Sequence, residues 1–163
     1  MIMKGTYDKY IDCAKTQGAV WANVCSVSDI LFDPRVLLKC RYGCERYGKD
    51  HMCPSSEKTP PYEEFKGMLL RYEQFLFIAV KTPADGQKAS LAVERLAMRD
   101  GLYLAFAMHD CALCERCAAE TDEPCRHPYD ARPPLLSAGI DVLATARRLG
   151  APEMCWYAAV FIR

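Results

Sequence analysis

The sequence predicts an α/β fold: a single domain over residues 1–163, with a largely parallel or mixed sheet flanked by helices and interrupted by two cysteine-rich loops. Three observations lead there. Segments with helical spacing alternate with short apolar runs in the order α-β-(loop)-α-β-α-β-(loop)-α-β, and such alternation is the mark of βαβ units. A chain of 163 residues suits one ordinary domain with a hydrophobic core of its own. Two stretches, residues 40–58 and 110–138, follow neither period and hold seven of the ten cysteines.

Thr6 is placed to cap a first helix whose apolar face is Tyr7, Tyr10, Ile11 and Ala14, with Gly18 ending it. Residues 20–32, rich in β-branched and aromatic side chains, contain a strand, and Val36-Leu37-Leu38 leads into Cys40. Thr59-Pro60-Pro61 starts a second helix with the stripe Tyr62, Phe65, Leu69 and Tyr72. Residues 75–80 are apolar on both faces, which reads as a buried strand. Ala89, Ala92, Val93, Leu96 and Ala97 recur at helical spacing over residues 87–99, and Gly101 leads into another buried strand at residues 102–108. Ile140, Leu143 and Ala144 mark a last helix stopped by Gly150 and Pro152, before a terminal strand at residues 155–162.

Charge and hydropathy exclude several classes of function. Twenty-one basic residues balance twenty-one acidic ones, so no global field attracts nucleic acid or an anionic membrane surface. The longest apolar runs are too short to span a bilayer, and the N-terminal residues lack the apolar core of a signal peptide. The expectation is a soluble, cytoplasmic protein that binds neither nucleic acid nor membrane; the composition leaves the oligomeric state open. Ten cysteines in a reducing compartment point to metal ligation or redox chemistry before disulfides.

Cys111-Ala-Leu-Cys114-Glu-Arg-Cys117, followed by Cys125, is the sharpest signal. Thiolates at two-residue intervals wrap one corner of a cubane, each reaching a different iron, with the fourth ligand arriving from farther along the chain. Zinc sites more often use two separated C-x2-C knuckles, so this spacing favours a [4Fe-4S] cluster, with zinc as the alternative. Glu115, Arg116, Glu120 and Asp122 make the loop polar, unlike the surroundings of inert buried thiols. His109 and Asp110 precede Cys111 at the expected strand end.

The second group is Cys40, Cys44 and Cys53, the last in a Cys-Pro pair of the kind that supplies a remote ferredoxin ligand. Cys53 therefore completes either the first cluster or its own site, giving one cluster or two. Three thiolates alone leave one metal position for His51, another cysteine, water or a substrate, and an open position separates catalytic from structural sites. Gly43-x4-Gly48-Lys49 mimics a phosphate loop, but Asp50 stands where Ser or Thr would bind magnesium. Arg41, Arg46, Lys49, Arg126 and His127 neighbour the expected ligands, where positive charge raises a cluster's reduction potential. Cys13, Cys25 and Cys155 read as small core residues. Each loop follows the carboxyl end of a strand, so two parallel strands would bring the cysteine groups together.

These residues give the chain its likeness to a known family. Lys39-Cys40 with Cys44, Tyr47-Gly48 and Cys53-Pro54, then Cys111-x2-Cys114-x2-Cys117, Cys125-Arg126-His127-Pro128, Arg132-Pro133 and Gly139-Ile140-Asp141-Val142, resemble the domain of unknown function 2284 family of predicted metal-binding proteins. The family pattern often has Cys-Pro-Pro where this chain has Cys53-Pro54-Ser55. The resemblance implies metal binding and no particular reaction. The expectation is an iron-sulfur protein in electron transfer, or an accessory to a redox enzyme, with a redox partner protein. The alternatives are an enzyme using an open site at Cys40, Cys44 and Cys53, and a zinc-stabilised interaction module.

Overall fold

The structure, a computed structural model, describes residues 7–163. Its four strands are β1 (Trp21–Ser26), β2 (Gln74–Val80), β3 (Phe106–Met108) and β4 (Trp156–Phe161). The helices are α1 (Asp8–Thr16), α2 (Val36–Gly43), α3 (Tyr62–Leu69), α4 (Pro83–Arg99) and α5 (Val142–Leu149). The expected order of elements is present, with α2 as an addition: residues 36–43, expected only to lead into the first loop, are helical and carry Cys40. The cap expected at Thr6 lies outside the described residues.

The expectation of a largely parallel sheet is overturned. Strand order is β1-β2-β4-β3, and every neighbouring pair is antiparallel. Helix α4 does cross from β2 to a strand running in the same direction, β3, but β4 lies between them, which makes the unit a split βαβ. Buried apolar runs were a poor guide to direction because both β2 and β4 are central strands covered on both faces, and such strands lose polar alternation whichever way their neighbours run.

The alternation of side chains across the sheet builds two cores. Leu76, Ile78 and Val80 of β2, with Ala158 and Val160 of β4, face α1 and α4, where Tyr10, Ala14, Ala89, Val93 and Ala97 are buried. The Tyr10 hydroxyl donates to Asp100 Oδ2 at 2.8 Å, fixing α1 to the end of α4. Phe75, Phe77, Tyr157, Ala159 and Phe161 face the other way, against Phe65 and Leu69 of α3, Ala146 of α5 and the turn at Leu135–Ala138. Phe77 and Tyr157 stack at 5.4 Å, and Phe75 and Phe161 at 5.6 Å.

Because β1 runs opposite to β3, the two cysteine segments do not leave the same edge of the sheet by way of parallel strands. They meet because the chain after β1 turns back. Phe32 bridges Ile140, Asp33 N–H donates to the Gly139 carbonyl at 2.8 Å, and Asp141 N–H donates to the Leu31 carbonyl at 2.8 Å. Gly139 has φ +72°, and a Cβ there would lie 2.3 Å from the Tyr62 ring, so only glycine lets α3 close over this junction. At the other loop, His109 N–H donates to the Pro133 carbonyl at 3.1 Å and pinches the second cysteine segment at its base. No helix among the described residues is long and apolar enough to cross a membrane.

Candidate metal centre

Cys40 lies in the last turn of α2 and Cys44 is its extended C-cap residue, so the first segment begins on a helix and not, as expected, in a loop. Tight turns follow, with Lys49 N–H donating to the Arg46 carbonyl at 2.9 Å and Cys53 N–H to the Asp50 carbonyl at 3.2 Å. Burial raises the Cys40 thiol above its usual range, and the nearby charges of Cys53, Cys44 and Asp110 raise it further. One of those charges, Asp110, belongs to the second segment. Ser55 donates its hydroxyl proton to Cys53 Sγ at 3.0 Å and accepts from Gly48 N–H at 2.9 Å. That donor stands where the family pattern often has proline, and sequence reasoning gave it no role.

Cys111, Cys114, Cys117 and Cys125 line one small cavity. Cys117 is the N-cap of a short turn at Ala118–Thr121 that ends on Asp122 with φ 55°. Gln87 of α4 accepts from Ala112 N–H at 2.9 Å, tying the start of the segment to the core. Burial raises the Cys111 thiol, the Leu113 N–H opposes this, and Asp50, Cys125 and Cys117 raise it further.

Arg46, Asp50, His51 and Met52, all from the first segment, complete the wall of this cavity, together with Arg126 and His127. The two segments are joined across it by the His51 ring, whose Nε2 lies 2.7 Å from the Glu123 carbonyl. Arg46 pairs with Asp50 at 2.9 Å and is held in its charged form by that hydrogen bond, against burial, with smaller help from Cys117 and Glu120. Of the basic residues expected beside the ligands, Arg46, Arg126 and His127 line the cavity, whereas Arg41 Nε is turned to the Tyr47 hydroxyl at 3.4 Å.

His109 is 1% exposed and sits behind the site. Ser90 Oγ donates to the Gly86 carbonyl at 2.7 Å and lies 2.8 Å from His109 Nδ1. His109 Nε2 is buried and without a hydrogen-bond partner among the described residues. Burial first, then the Arg132 guanidinium, hold its pKa at about 4, so the ring is neutral. Next to it Asp110 is raised by burial and by Asp50. The remaining cysteines pack into or against the two cores; Cys25 is buried, while Cys13 and Cys155 are half-buried.

No three His, Cys, Asp or Glu side chains among the described residues are drawn together as a ready cage for a single ion. The donor set nonetheless fits a metal group. Four thiols surround a space of about 20 Å³, far below the roughly 300 Å³ or more of an organic-ligand pocket. A metal group held there would take these sulfurs as thiolates, so their protons would be released as it binds. No curated protein and no solved structure matches the chain. A family model does match, over residues 23–158, and by that match the chain belongs to DUF2284, the family described as predicted metal-binding protein.

Proposed function

We propose that this protein holds a [4Fe-4S] cluster on Cys111, Cys114, Cys117 and Cys125 and serves in electron transfer, or as a redox accessory to an enzyme. The observation that carries this reading is the convergence of those four thiols on one cavity, three of them spaced two residues apart. Bound there, the cluster would supply one-electron chemistry at a potential set by its surroundings. Arg46 and Arg126 on the cavity wall supply positive charge that would raise that potential. The natural partner is a redox protein of the same compartment, which we take to be the reducing cytoplasm.

A second reading, an enzyme with an open metal position, draws support from the other group. Cys40, Cys44 and Cys53 supply three thiols, Cys44 is exposed, and the Asp110 carboxylate also acts on Cys40. Three protein ligands with a free fourth position is the pattern of catalytic sites. Ser55, donating to Cys53 Sγ, would orient and tune that ligand.

Purification without oxygen, followed by iron, zinc and acid-labile sulfide analysis, tests both readings. Iron with stoichiometric sulfide and a brown colour that fades on reduction is the expected result. A colourless protein carrying zinc and no sulfide would leave the zinc-stabilised interaction module.

A further inference from the structure

A second cavity, of about 310 Å³, adjoins the thiol-lined one, and His51 and Met52 belong to the walls of both. Its volume lies at the lower end of the range for small-molecule sites. The walls are Met52, Pro60, Phe65, Met68, Leu69, Tyr72, Phe106 and Pro133, nearly all apolar, and three polar residues join them: His51, Lys58 and Thr59. Two of those three are already engaged. Thr59 donates its hydroxyl proton to the Cys53 carbonyl at 2.9 Å, and the His51 ring is bonded to the Glu123 carbonyl. Tyr72 also spends its hydroxyl elsewhere, on the Leu104 carbonyl at 2.6 Å, and offers the cavity its ring. Lys58 has no acidic partner within ion-pair distance among the described residues.

We propose that this cavity binds a small carboxylic acid with an aromatic or branched apolar body, its carboxylate toward Lys58 and its body against Phe65, Met68, Tyr72 and Phe106. Aromatic and thioether walls favour a flat or branched apolar group. One unpaired cation at the rim selects an anion over a neutral molecule. Occupied, the site sets an organic molecule against the same two residues that wall the thiol cavity, which is where a substrate of a metal enzyme, or a regulator of a carrier, would sit. The cavity is defined by its own walls, so the proposal stands or falls apart from the identity of the metal.

The test uses the full chain purified without oxygen, its methionine methyl groups labelled with carbon-13. The probes are 3-phenylpropionate and its neutral amide, titrated separately, with metal and sulfide measured on the same sample. The Met52 and Met68 methyl resonances should both shift on addition of the carboxylate, while that of Met154, 97% exposed and outside the cavity, should not. The carboxylate should bind about threefold or more tightly than the amide, the advantage expected of one partly exposed charge pair. Lys58→Met should reduce the two probes to equal affinity, and Met68→Trp, followed at the Met52 methyl, should weaken both. No shift at Met68 with either probe, or a carboxylate preference that survives Lys58→Met, would overturn the proposal whatever metal the sample contains. A sample with zinc in place of iron and an intact Met68 response would overturn the cluster assignment and leave this site standing.

Discussion

Arg132→Met removes the partner of a buried carboxylate, and the structure allows its cost to be worked out. Glu94 of α4 is 4% exposed, and its Oε1 and Oε2 accept from Arg132 at 2.6 and 3.1 Å. Oε2 also accepts the Ala107 N–H of β3 at 2.5 Å. Arg132 in turn donates to the Tyr129 and Ala131 carbonyls at 3.1 and 2.9 Å, so one side chain fastens the end of the second cysteine segment to helix and sheet. Breaking a buried pair by removing one partner costs about 3–5 kcal/mol, because the other charge is left uncompensated. Arg132 is itself 20% exposed and Glu94 keeps the Ala107 N–H, so the lower end, about 3 kcal/mol, is expected. In a domain of this size that lowers the melting temperature by roughly 6–12 °C. Glu94→Gln placed on top of Arg132→Met removes the stranded charge while preserving an acceptor for Ala107, and should recover about half the loss. Denaturant titration of the wild type and the two variants measures the loss and its recovery. A single-variant cost below about 1 kcal/mol, or a double variant no better than the single, would refute the role given to the buried charge.

Other consequences are open to measurement. Cys114→Ser should strip most of the metal from its site, and Cys13→Ser should leave the metal content unchanged; equal loss from both would mean the ligands are misassigned. In the metal-free protein at pH 8, iodoacetamide should modify exposed Cys44 early and Cys25 last, because burial, aided slightly by Asp29, pushes the Cys25 thiol up to about 12. Early labelling of Cys25 in peptide mass maps would contradict its place in the core. His109 adds an acid-side dependence: its folded pKa of about 4 lies below the unfolded value near 6.5, so the unfolded chain binds the proton more readily. Stability from this residue is complete above about pH 6.5 and falls as the pH drops toward 4, by at most roughly 3 kcal/mol. The difference between wild type and His109→Gln, from urea titrations across that range, isolates this contribution from acid loss of metal. A flat difference would sink it.

Much of the secondary structure was legible because local chemistry and tertiary structure agree. Asp141 caps α5 by accepting from Ala144 N–H at 3.0 Å, and Gly150 ends it with φ 70°. Helix α2 was missed for a physical reason: none of its residues is buried, so it has no apolar face to leave a helical period in the sequence. The strand expected over residues 102–108 is confined to Phe106–Met108, since Tyr103 and Leu104 are exposed in a turn. Strand direction was lost because β4 pairs between β2 and β3, a choice made by chain topology and invisible to periodicity. At the site, the grouping of cysteines was readable from spacing. The wall residues Arg46, Asp50 and His51 were not readable as such, because they approach the second group only after the chain beyond β1 has folded back.

Whether the two cysteine groups share a metal centre is the last question the geometry bears on. The thiols that influence Cys40 are Cys53 and Cys44, whereas those that influence Cys111 are Cys125 and Cys117. Charge also reaches across between the segments: Asp110 acts on Cys40, Asp50 on Cys111, and Cys117 on Arg46. Cys53 is restrained by the Ser55 hydroxyl on its sulfur and by the Thr59 hydroxyl on its carbonyl. None of Cys40, Cys44 and Cys53 lines the cavity of the Cys111 group, so two centres are expected, the first with three thiolates and an exchangeable position. Cys53→Ser should then remove the first centre and leave the iron held by the Cys111 group, and Cys114→Ser should do the reverse. Cyanide or an added thiol should perturb only the signal that Cys53→Ser abolishes. Electron paramagnetic resonance of the reduced variants, with iron counted per chain, separates the outcomes. If both substitutions abolish one and the same signal and neither exogenous ligand alters it, the segments close around a single four-thiolate cluster. Cys53 would then have to turn away from Ser55 toward the second group, and a closed carrier of electrons would replace the enzyme with an open site.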